Sequence, residues 1–201
     1  MTIPTGLASY LDELVQRLAR VVELDAVYVV GSGAYGGFDP ERSDVDVVAV
    51  VPHALSEEEK RGVVEAAESL TPPGRKLELV VYARGSTEYE LNLNTSELVS
   101  FDPGNDPDFW FVLDRAVAEQ HAVPLVGPPW RELFAPVARD DILEALRASL
   151  DWHEAKEPLT AGSVLNTCRS WQWLETGEWV SKPEAARWLW SRVRAALEDA
   201  S

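Results

Sequence analysis

Leu7, Leu11, Leu14, Val15, Leu18, Val21 and Val22 recur at the spacing that lines one face of an α-helix. A helix over residues 7–22 follows, with Thr5 or Ser9 placed to cap it. The pattern then changes. Ala26 to Val30 is a continuous apolar run rich in β-branched side chains, stopped by Gly31, and reads as a buried strand. Val45 to Val51 repeats that signature and ends at Pro52. Ser56-Glu57-Glu58-Glu59 has the form of a capping box, which satisfies two open backbone N–H groups at once, so a helix is expected from there to about Leu70. Thr71-Pro72-Pro73-Gly74 breaks it, and Leu77 to Tyr82 reads as a third strand.

Residues 84–107 have weak periodicity and several turn formers, so they are expected to be irregular with one further strand. Pro107 to Gln120 returns to helical spacing. Four of the thirteen prolines fall between Pro124 and Pro136 and exclude a long regular element there. From Asp140 onward every element reads as helical. Asp140 or Asp141 opens one helix, to about Trp152. Thr160 opens another, which stops at Gly177. Ser181-Lys182-Pro183-Glu184 starts the last, to about Leu197. The expected class is α+β, with a mixed sheet and flanking helices over residues 1–136 and a small all-helical domain over 137–201.

Hydrophobic content of 46% and charged content of 26% are those of an ordinary globular protein. No apolar run approaches the roughly 20 residues needed to span a bilayer, and the first ten residues lack the basic-then-apolar order of a secretory signal. A lone Cys168 rules out an internal disulfide. A cytoplasmic protein without a membrane partner is expected. The net charge of -16 repels nucleic-acid phosphates, so no nucleic-acid partner is expected either. Such a surface attracts a cationic small molecule, although acidity that only aids solubility accounts for it equally well.

The candidate chemistry lies between the first two strands. Gly31-Ser32-Gly33-Ala34-Tyr35-Gly36-Gly37 reads as a flexible turn that lets backbone approach a phosphate, with Ser32 offering its N–H and hydroxyl. Asp44 and Asp46 stand two apart at a strand start, so both carboxylates leave one face. A solvated strand end would also explain them; magnesium bound through both would neutralise their repulsion. Glu78 shares a strand face with Val80 and Tyr82, opposite Leu77, Leu79 and Val81. It is either an edge residue in water or a working carboxylate, as a metal ligand or a general base. His53, His121 and His153 form no zinc pattern with Cys168. Trp152, Trp171, Trp173, Trp179, Trp188 and Trp190 are read mainly as packing residues.

Gly31-Ser32, some ten residues, then Asp44-Val45-Asp46 in an apolar strand resembles the signature of the polymerase-β-like nucleotidyltransferase superfamily. The similarity is greatest to the bacterial aminoglycoside adenylyltransferases that inactivate streptomycin and spectinomycin. Leu77-Glu78-Leu79 resembles their strand with the catalytic glutamate. Leu125-Val126-Gly127-Pro128 and Glu132-Leu133-Phe134 resemble their path into the helical domain. The resemblance implies that a nucleotidyltransferase domain moves AMP from ATP to an antibiotic hydroxyl and releases pyrophosphate. It implies Asp44, Asp46 and Glu78 around two magnesium ions, with Glu78 as base. It also implies Gly31 and Ser32 on phosphate, and Arg169 and Lys182 reaching ATP from the helical domain. The resembled enzymes continue for further helical segments beyond the position of Ser201, so a reduced helical domain is expected. Asp151, Glu154 and Glu157 are the acids left there to grip a cationic substrate. Transfer to a protein or another metabolite hydroxyl, or a non-catalytic nucleotide-binding or antitoxin-like module, are the alternatives.

Overall fold

The first apolar stripe folds as helix α1 (Thr5–Leu18), with Leu7, Leu11, Leu14 and Leu18 all buried along one side. The computed structural model describes residues 3–156 and 159–199. The helix ends earlier than its apolar spacing predicts, although Val22, in the following turn, is still buried. Neither Thr5 nor Ser9 caps it. Pro4 takes the cap position, and the Ser9 hydroxyl donates back to the Thr5 carbonyl at 3.1 Å.

Six strands follow from the alternating and continuous apolar runs: β1 (Ala26–Val29), β2 (Val45–Val51), β3 (Leu77–Ala83), β4 (Tyr89–Asn94), β5 (Leu98–Ser100) and β6 (Val123–Val126). They form one sheet in the order β5-β4-β3-β2-β1-β6. Among the described residues only β2 and β3 pair in parallel. A parallel pair needs a long crossover. After the short helix α2 (Gly31–Tyr35), that crossover is α3 (Glu57–Glu68). The capping box at Ser56 is present, with Ser56 N–H donating to Glu59 at 2.8 Å and Glu59 N–H donating back to the Ser56 hydroxyl.

The two sheet faces carry different chemistry. Val45, Val47, Ala49, Val51, Leu77, Leu79, Val81, Leu91 and Leu93 join residues of α1 and α3 in the main core. Strand alternation therefore sends Asp46, Val48 and Val50, with Glu78, Val80 and Tyr82, to the opposite face. There Tyr28 meets Trp130 edge-on and Tyr82 meets Phe134 edge-on, so aromatic rings fill the part of that face away from the acids.

Residues 84–107 hold two strands rather than one, plus a single 3-10 turn at Pro103–Asn105. A bulge near Glu90 hides the period: Val81 pairs with Leu91, but Tyr82 pairs with Tyr89. Tyr89 is thereby turned onto the face of Asn92, while Leu91 and Leu93 stay in the core.

By internal contacts, the residues up to Asp108 together with Arg115–Pro136 form one unit. Phe109–Asp114 and the residues from Val137 onward form a second. Helix α4 (Asp108–His121) supplies residues to both, and α5 (Trp130–Leu133) belongs to the first. The second unit contains α6 (Arg139–Lys156), α7 (Ala161–Thr176) and α8 (Lys182–Asp199). Thr160 caps α7, Gly177 ends it in the left-handed region, and Ser181 with Glu184 makes a second reciprocal cap. Trp173 and Trp179 are buried and stacked, whereas Trp171 and Trp190 are exposed and outside any core. No described helix is long and apolar enough to cross a membrane.

Candidate active site

Asp46 lies directly opposite Glu78, as register partners on the parallel strands β2 and β3. Side chains of paired residues leave the same face, so the two carboxylates emerge side by side. Asp44, just before β2, feels the Glu78 charge. Burial first, then the Glu78 carboxylate, raise the Asp44 pKa above the usual aspartate range, while Lys76 and Arg75 pull it back.

The segment carrying Asp44 is clamped on both sides. Ser43 N–H donates to the Asp39 carbonyl at 2.7 Å, and the Ser43 hydroxyl accepts from Asp39 N–H at 3.0 Å. Arg75 N–H donates to the Ser43 carbonyl at 2.9 Å, and Val45 N–H donates to the Lys76 carbonyl at 2.8 Å. Asp44 thus rests on a frame made by its chain neighbours, mostly through backbone bonds.

The glycine-rich segment is not a flexible turn. Residues 31–35 wind into α2, which Gly36 closes in the left-handed conformation at φ 75°. Gly31 has φ +54°, and a Cβ placed on it would overlap the Asp46 carboxylate. Val30 N–H donates to the Asp46 carbonyl at 3.0 Å, which fixes that approach. The Ser32 hydroxyl oxygen and Asp44 Oδ1 are buried with no hydrogen-bond partner among the described residues. Leaving such groups unmet costs roughly 1–3 kcal/mol each, so they fit a site that a polar ligand completes.

Gly31, Ser32, Asp44, Asp46 and Glu78 therefore come together in the first unit. Arg169 on α7 and Lys182 at the start of α8 belong to the second. The Arg169 guanidinium lies over the Trp179 ring, 5.7 Å from its centre. Asp151 and Glu154 are exposed on α6, and Glu157 lies outside the described residues.

Two cations at the acid centre escape a reading by motif. Arg75 Nε is 3.9 Å from Asp44 Oδ1. Lys76 Nζ is 3.0 Å from Glu78 Oε1 and 2.6 Å from Glu97 Oε2. The spacing of Lys76 and Glu78 could have flagged this pair. Glu97 gave no signal, because it is reached only through the β4–β5 hairpin. Burial works against the Lys76 ammonium, yet the bonds from Glu97 and Glu78 outweigh it and hold its pKa above the usual lysine value. Among the described residues, no group of three His, Cys, Asp or Glu side chains is already arranged around a metal position.

A second polar cluster was equally hidden. Tyr89 donates to Asp106 Oδ2 at 2.5 Å and Asn92 donates to the same oxygen at 3.1 Å, with Ser100 beside them. Burial and the Asp106 carboxylate push the Tyr89 hydroxyl up to about 12.

Residues 11–92 match a family described as the nucleotidyltransferase domain, and residues 132–200 match the aminoglycoside adenylyltransferase C-terminal domain. An aminoglycoside (3'') (9) adenylyltransferase of Klebsiella pneumoniae is 31% identical over 95% of this chain and 81% of its own length. A spectinomycin 9-adenylyltransferase of Staphylococcus aureus is 28% identical over 81% of this chain and 69% of its own. The crystal structure of a spectinomycin adenyltransferase from Enterococcus faecialis, with ATP and spectinomycin, superposes with a TM-score of 0.70 at 17% identity. That match covers 88% of this chain and 79% of the other, and it shows the shared fold. The chain is an enzyme of the aminoglycoside adenylyltransferase family.

Proposed function

We propose that the protein transfers AMP from magnesium-bound ATP to a hydroxyl of a streptomycin- or spectinomycin-type aminoglycoside and releases pyrophosphate. The observation that carries this reading is the direct pairing of Asp46 with Glu78 beside a glycine bend that no side chain can occupy. The named acceptors of the family's relatives supply the substrate class.

The donor set fits magnesium. Asp44, Asp46 and Glu78 offer only hard oxygen ligands, and Asp44 Oδ1 is buried without a hydrogen bond, its nearest cation being Arg75 at 3.9 Å. Bound there, magnesium ions would neutralise the triphosphate and steady the leaving group. The chain's own residues supply the rest. Gly31 keeps its backbone bare against the phosphates, and the unmet Ser32 hydroxyl donates to a phosphate oxygen. Glu78, whose side chain is 37% exposed, takes the proton of the incoming hydroxyl. The freed oxygen bonds to the α-phosphorus as the bond to the bridging oxygen of the β-phosphate breaks, and pyrophosphate departs. Arg169 and Lys182 add cationic contacts to ATP, so Arg169→Ala and Lys182→Ala raise KM for ATP more than they lower kcat.

The test is pyrophosphate release from ATP and magnesium, with streptomycin, spectinomycin and unrelated alcohols as acceptors. Release that depends on an aminoglycoside supports the reading. Release with label recovered on protein assigns a different acceptor.

A further inference from the structure

Lys76 touches both the acid centre, at Glu78, and a carboxylate outside it, Glu97. Standing two residues before Glu78, it leaves the same side of the chain. Its stem is only 15% exposed, and its backbone is pinned to β2 through Val45. It pairs with Glu78 and Glu97.

Glu97 is delivered by a specific turn. Glu97 N–H donates to the Asn94 carbonyl at 2.9 Å, and Ser96 adopts the left-handed conformation at φ 68°. A residue other than glycine enters that region only under constraint. The turn brings Glu97 over Lys76, while most of the Glu97 side chain remains in solvent at 57% exposure. Two carboxylates thus share one cation. One of them is the carboxylate that the proposed reaction needs free.

We infer that Lys76 is a resident counter-ion of the acid centre, neutralising Glu78 before a divalent cation binds and passing to Glu97 when one does. This rests on the reading of Asp44, Asp46 and Glu78 as a magnesium centre. It accounts for the lack of a ready three-carboxylate cluster among the described residues, since Glu78 is turned to the lysine. Lys76 is a positioning residue in this scheme. It keeps three acids tolerable in the empty site and yields without leaving the protein, because Glu97 receives it.

The scheme predicts opposite effects for its two members. Lys76→Met removes the competing cation, so divalent ions bind more tightly. Glu97→Gln removes the receiving partner, so Lys76 stays on Glu78 and divalent ions bind more weakly.

The experiment titrates Mn2+ into the full chain without nucleotide and reads free ion by electron paramagnetic resonance. Lys60→Met is the control. It removes an equal charge from a lysine that is 12% exposed and paired with Glu90 on the far side of the sheet. Lys76→Met should bind Mn2+ about threefold to tenfold more tightly than Lys60→Met. Glu97→Gln should bind it several-fold more weakly than wild type. Equal affinity of the two lysine variants, or shifts of Lys76→Met and Glu97→Gln in the same direction, overturns the inference alone. No Mn2+ binding by wild type overturns the magnesium centre and the inference with it. Should Lys76→Met fail to fold, Glu97→Gln carries the test, since its side chain is largely in solvent.

Discussion

Three residues of the proposed site each carry a separable prediction. Glu78→Gln keeps shape but cannot take a proton, so kcat should fall roughly 100- to 10,000-fold. Gly31→Ala puts a methyl group into the Asp46 carboxylate. It should remove activity and lower the melting temperature. Asp44 has a pKa raised by burial and by Glu78, so the fold favours its protonated form. Its contribution is intact below the ordinary aspartate pKa and is lost as pH rises through the raised value. Asp44→Asn should therefore abolish turnover yet melt a few degrees higher than wild type near pH 8 without metal, with the gap shrinking toward about pH 4. An unchanged or lower melting temperature near pH 8 would contradict this electrostatic account. The acids were legible because strand alternation alone assigns their face. Lys76 and Glu97 were not, because their partnership depends on where a hairpin returns.

Among the elements, the caps at Ser56, Thr160 and Ser181 translated most directly from sequence to structure, whereas the cap expected at Thr5 or Ser9 did not form. The Ser56–Glu59 box starts α3, the crossover that makes β2 and β3 parallel and so brings Asp46 opposite Glu78. Ser56→Ala should cost about 1 kcal/mol, lowering the melting temperature by roughly 2–4 °C in calorimetry. Activity should be retained, since no site residue moves. Several short elements resisted the sequence, β5 and β6 among them, and two show why. The α2 helix looked like a turn because its glycines mask a single helical winding. The β4 strand looked irregular because the bulge at Glu90 shifts Tyr89 out of phase with Leu91 and Leu93. Both failures concern local geometry that only pairing with a neighbour decides.

At the scale of the molecule, the mixed sheet and the helical second unit agree with the class read from hydrophobic patterning. The matches to relatives agree with the family suggested by Gly31-Ser32 and Asp44-Val45-Asp46. Net charge remained ambiguous as sequence, since -16 suits both a cationic substrate and simple solubility. Salt separates the two. If the acidic surface gathers substrate, KM for the aminoglycoside should rise several-fold as ionic strength increases beyond the physiological range, with KM for ATP much less affected. A KM indifferent to salt assigns the charge to solubility.

The central claim is that Glu78 and the aspartates move an adenylyl group onto an aminoglycoside. Its most direct test supplies ATP labelled at the α-phosphate, magnesium and either streptomycin or spectinomycin, and follows where the label goes. Label on the antibiotic with one pyrophosphate released per transfer, and none with Glu78→Gln, is the predicted result. Label on protein, or transfer undiminished in Glu78→Gln, would contradict it.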